Sequence, residues 1–105
     1  MTPTTAIASL DRQLAQHGQT ISLKRGAGAV RTGAGFVRGY DIQYVVGLIT
    51  LADRKVICSP TDFGADLPRA QDAYLSLGKS GVVQEVEPIY MADTLVRIEM
   101  RVRLT

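Results

Sequence analysis

The sequence predicts a mostly β domain: a small antiparallel β-barrel or sandwich of about six strands, with a short N-terminal α-helix and long loops. Three observations lead there. A single amphipathic helical stripe is confined to residues 3–17, the apolar spacing changes to two from residue 19 onward, and no helical stretch separates the later strands as parallel crossovers would require. A chain of 105 residues reads as one domain spanning residues 1–105. At that length roughly two thirds of the unfolded surface is buried on folding, so a core forms without staples.

The helix is written in its ends as well as its stripe. Thr2-Pro3 reads as an N-cap followed by proline at the first helical position, where a missing N–H loses nothing. Ile7, Leu10 and Leu14 recur at spacings of three and four, with Asp11, Arg12, Gln13 and Gln16 between them. His17 and Gly18 then end it, the glycine as a residue that tolerates positive φ. Ile21 and Leu23 alternate with Ser22 and Lys24 as a first strand.

Gly26-Ala27-Gly28 and Gly33-Ala34-Gly35 bracket Arg31 in a stretch too glycine-rich for a regular element, so residues 26–35 are expected to form a flexible hairpin loop. Phe36 to Tyr40 restores β-forming residues, and residues 53–59 form a short strand ended by Pro60. Residues 61–71 read as a loop. Ala73, Leu75 and Leu77 then alternate with Asp72, Tyr74 and Ser76, and Gly78-Lys79-Ser80-Gly81 turns the chain into a β-rich run over residues 82–89. The clearest pattern comes last: Val96, Ile98, Met100, Val102 and Leu104 on one face, Arg97, Glu99, Arg101 and Arg103 on the other.

Hydrophobic residues make up 46% and charged residues 21%, the balance of a folded soluble domain. A net charge of +2 is too small to imply a phosphate-neutralising surface. The single cysteine, Cys58, fits a reducing cytoplasm, and the N-terminus lacks the basic and apolar start of a signal peptide, so the protein is expected to be made inside a cell. Gly78-Lys79-Ser80 resembles the end of a phosphate loop, but Ala73 stands where its first glycine belongs and strands lie on both sides. One His and one Cys on unrelated elements support neither a catalytic dyad nor a metal site, so no catalytic residue, cofactor or metal is expected. With four Tyr, two Phe and no Trp, an aromatic platform for single-stranded nucleic acid is thin, although such a barrel is the alternative from another class.

Several stretches resemble the head-tail joining, or head-closure (stopper), proteins of long-tailed phages and prophages. They are the N-terminal helix leading into residues 19–25, Val37-Arg38-Gly39-Tyr40, Lys55-Val56-Ile57-Cys58-Ser59-Pro60-Thr61, Val86-Glu87-Pro88-Ile89 and Val96-Arg97-Ile98-Glu99-Met100-Arg101-Val102. Where many of these proteins have Pro-Gly-Asp before a strand, this chain has Pro68 and Asp72 without the glycine. The resemblance does not separate a head-closure protein from a tail-terminator or other tail-completion protein. It implies a β-barrel subunit of a homo-oligomeric ring of six or twelve in the virion, between the portal-side adaptor and the tail terminator or tail tube, with packaged DNA passing through.

Interface contacts are expected in two insertions. One carries Arg31. The other, residues 41–52, holds Ile42, Tyr44, Val45, Val46, Leu48 and Ile49 around Gly47, and reads either as a loop whose apolar groups need a neighbouring subunit or as a further core strand. The arginines Arg97, Arg101 and Arg103 are expected to point outward, toward solvent, a protein partner or phosphates.

Overall fold

In a computed structural model of the chain, the described residues are 2–39 and 52–105, and they form α1 (Pro3–His17), β1 (Gln19–Lys24), β2 (Val30–Gly39), β3 (Asp53–Cys58), α2 (Pro60–Phe63), β4 (Ala73–Ser76), β5 (Lys79–Met91) and β6 (Thr94–Leu104). The strands close into a six-stranded antiparallel barrel in the order β1-β2-β3-β6-β5-β4. Four of the six neighbouring pairs join strands consecutive in sequence, and two closures join distant ones. One is β3 on β6, with Val56 opposite Met100 and Cys58 opposite Ile98; the other is β1 on β4, with Leu23 opposite Tyr74.

Antiparallel partners share a face, so these pairs place one continuous set of side chains inside. Ile21, Leu23, Val56, Cys58, Phe63, Tyr74, Val83, Ile98, Met100 and Val102 form the core. Each fully buried aliphatic or aromatic side chain contributes about 1.5–3 kcal/mol, and β6 supplies three of the ten. The register of β6 is the one its alternation predicts.

The start of α1 follows its sequence signal, with the Thr5 N–H donating to Thr2 Oγ1 at 3.1 Å and Pro3 in the first turn. Gly18 departs from expectation: its φ is −79°, extended rather than left-handed. Glycine is required there for space, because a Cβ would stand 2.6 Å from the Leu14 carbonyl oxygen.

Four further readings are corrected. Residues 30–35 are strand, not flexible loop: Gly33 pairs with Ile21 and Gly35 with both Gln19 and Cys58, leaving only the short turn between Lys24 and Val30 irregular. Pro60 ends β3 as predicted but also opens α2, a helical turn capped by Ser59, whose Oγ accepts from Thr61 N–H at 3.1 Å. In β4 the inward residues are Tyr74 and Ser76, while Leu75 and Leu77 are 50% and 76% exposed. The β4–β5 turn falls at Leu77 and Gly78, with φ of 51° and 78°, so Lys79 to Gly81 already belong to β5. Ile42, Tyr44, Val45, Val46, Leu48 and Ile49 lie outside the described residues.

Candidate interaction surface

The outer face of β6 is an ion-pair ladder. Across its Cα register, Arg103 stands opposite Asp53, Arg101 opposite Lys55 on one side and Glu85 on the other, and Glu99 opposite Ile57 and Glu87. The Asp53 carboxylate, fully buried, accepts from Arg101 Nη1 at 2.8 Å and from Arg103 Nε at 2.8 Å. Arg101 Nε donates to Glu85 Oε1 at 3.0 Å. Lys55 Nζ and Arg97 Nε each approach the Glu99 carboxylate to 3.2 Å.

A buried carboxylate without partners is strongly unfavourable, and the two guanidiniums supply them. Arg97 and Arg103 face outward with side chains 43% and 39% exposed, as expected, whereas Arg101 is only 8% exposed because Asp53 and Glu85 close over it. Four cations, Lys55, Arg97, Arg101 and Arg103, thus interleave with four acids, Asp53, Glu85, Glu87 and Glu99. This face carries no surplus positive charge with which to neutralise phosphates.

Past the end of β4, β5 continues in pairing with β6. Strand β4 pairs with β5 only from Lys79 to Val82. The last backbone bonds on that side are Val83 N–H to the Asp72 carbonyl at 2.9 Å and Gln71 N–H to the Val83 carbonyl at 2.7 Å. From Glu85 to Met91, β5 is paired by β6 alone among the described residues. Register shifts interrupt that pairing between Val83 and Glu85 and between Ile89 and Tyr90. Residues 64–69 stand across from this stretch over a groove of about 470 Å³, whose other wall includes Val86 and Pro88. Elsewhere along this pair, α1 residues Ala6 and Leu10 and strand residues Phe36, Ile89, Met91 and Val96 line an apolar cleft of about 340 Å³.

Arg31, expected in a free loop, is instead the second residue of β2, opposite Leu23. Its guanidinium lies 5.8 Å from the centre of the Phe63 ring and donates to the Asp66 carbonyl. Arg25, in the turn before β2, holds the same segment. It donates to both Asp66 carboxylate oxygens at 3.2 Å, to the Leu67 carbonyl at 2.9 Å and to the buried Asp72. Both arginines are therefore engaged in clamping residues 66–72 against the barrel. Sequence reading missed Phe63 and this clamp, although Ser59-Pro60 repeats the helix-start signal that Thr2-Pro3 gives.

Nucleophilic chemistry has no starting point in Cys58. Its side chain is fully buried in the barrel, and burial pushes the thiol up to about 12, so it stays protonated near neutral pH. His17 is exposed in the last turn of α1. Among the described residues, no three His, Cys, Asp or Glu side chains converge to hold a metal ion.

Fold and surface together define a small closed β-barrel whose β5–β6 pair runs on past β4, with an outer face of paired charges. Comparison with family models, with curated proteins and with solved structures found no match.

Proposed function

We propose that this chain is a structural subunit of the virion at the phage head-tail interface, a head-closure protein that forms a ring of six or twelve below the portal-side adaptor, retains packaged DNA and offers a platform to the tail. A tail-terminator role belongs to the same reading. One observation carries it: the stretches that resemble head-tail joining proteins, in order along the chain, become α1 with β1, the end of β2, β3 with the start of α2, and the β5–β6 pair. The resemblance thus falls on the architecture rather than on scattered loops. The chemistry agrees, because Arg101 and Arg103 are engaged with Asp53 in ion pairs and the Cys58 thiol lies in the core, as suits a subunit that works by contact rather than by catalysis. A ring is built by heterologous contacts that close by rotation, which loops and strand edges supply.

A single-stranded nucleic-acid barrel fits less well. Phe63 and Tyr74 are buried in the core, and the outer face of β6 balances its charges. Mass spectrometry and electron microscopy of purified particles test the proposal. The chain is expected at the neck, in one ring per particle, and its absence from intact virions overturns the assignment.

A further inference from the structure

Residues 64–71 are fastened to the barrel by side chains rather than by a ladder. Among the described residues, no backbone-to-backbone hydrogen bond ties residues 65–70 to a strand. On either side, Gly64 N–H donates to the Pro60 carbonyl at 2.8 Å and Gln71 N–H to the Val83 carbonyl at 2.7 Å. Two guanidiniums cross the interval: Arg25 donates to the Asp66 carboxylate and the Leu67 carbonyl, and Arg31 donates to the Asp66 carbonyl. Both ends of the segment can turn. Gly64 follows α2 directly, and Gln71 sits at φ 77°, a left-handed conformation that disfavours a residue with a side chain and that swinging the segment away would relieve. The groove of about 470 Å³ separates the segment from Val86 and Pro88 of β5.

We propose that residues 64–71 form a strap, hinged at Gly64 and Gln71 and latched by Arg25 and Arg31, that swings open as one unit while the six-stranded barrel stays shut. Opening uncovers an apolar strip that the closed form hides, made of buried Pro68 and half-buried Leu67, Val86 and Pro88. Burial of Leu67 and Pro68 favours closure, and the latch sets how rare the open form is. The strap belongs to the single chain and does not rest on the ring reading.

Asp66→Ala, Arg31→Ala and the two combined test it by residue-resolved hydrogen exchange. Arg25 is left in place because it also holds the buried Asp72. The reporters are the Arg69 amide, which donates to Asp72 Oδ2 at 3.0 Å, and the Asp72 amide, which donates to the Arg69 carbonyl at 3.1 Å. The references are β6 amides from Ile98 to Val102, within the barrel wall. The combined variant is expected to speed exchange at both reporters by about tenfold and to leave the references unchanged. Asp66→Ala alone should speed the reporters by about two- to fivefold, and because it alters only an exposed side chain it keeps the test decidable should Arg31→Ala fold poorly. Reporters that keep their wild-type rates in every variant overturn the proposal. Equal acceleration of reporters and references also overturns it, because the segment would then open only with the barrel.

Discussion

Two glycine pairs ten residues apart or less, Gly26 with Gly28 and Gly33 with Gly35, look alike in sequence and do opposite work. Gly26 sits in the turn at φ 54°, with nothing within 4 Å of where its Cβ would be. Gly33 sits inside β2, where a Cβ would come within 2.8 Å of the Phe63 ring and 2.7 Å of Asp62 Cβ. The first supplies a backbone conformation that L side chains rarely adopt. The second supplies a vacancy: α2 drops Phe63 into the barrel beside β2, and the strand gives up its side chains at the point of entry. A glycine-rich composition therefore marks mobility only where no neighbour occupies the missing volume.

Substitutions break this contrast at graded strength. Phe63→Ala should have the largest effect, about 3–5 kcal/mol in denaturant unfolding, because it empties the site that Gly33 accommodates. A loss below about 1 kcal/mol would mean the ring contributes little to the core. Gly33→Ala should destabilise by about 1–3 kcal/mol through overpacking. Combined with Phe63→Ala, much of that loss should disappear; strictly additive losses would show that Phe63 is not what excludes the Cβ. Gly26→Ala should lose only about 1 kcal/mol, from left-handed backbone strain alone, and should be additive with Phe63→Ala. Equal effects of alanine at positions 26 and 33, both independent of Phe63, would erase the distinction.

The smallest effect concerns what ties the glycine turn to the α2–β4 segment. Hydrogen bonds from Arg25 hold the Asp66 carboxyl below its usual value of 3.8, with Arg31 and Arg69 adding to the effect. A carboxylate whose folded value lies below its unfolded one stabilises the fold above the unfolded value, and that contribution fades as pH falls through the folded value. Wild type should thus exceed Asp66→Asn in stability at neutral pH, by little because the pair is exposed, and the gap should close in acid. A gap that widens as pH falls would reverse the assignment.

What the sequence made legible was whatever repeats locally. The β6 alternation has only one face that can be buried, and α1 carries both its stripe and its caps, so each was readable without knowing its neighbours. Strand β4 was not. Its leucines alternate as convincingly as any core set, yet Tyr74 faces inward, opposite Gly81 on one side and Leu23 on the other. Only the pairing reveals which face of β4 is the inner one. The outer ladder was half legible: the arginines were visible, but Asp53 as their shared acceptor depends on the β3–β6 register. Arg101 was placed on the outward face correctly and became buried only through partners contributed by two other strands.

The strand order also sets the order in which the chain has to assemble. Hairpins such as β5–β6 join residues close in sequence, but β6 must also find β3, bringing Cys58 to Ile98, and the barrel shuts only when β1 meets β4 over three residue pairs from Ser22 to Lys24. Those distant pairings pay their loop-closure entropy before any core contact repays it, which places folding in the slower range of small domains, about milliseconds to seconds. The three-pair β1–β4 seam is the shortest ladder in the barrel, and it is where transient opening of the native wall should begin.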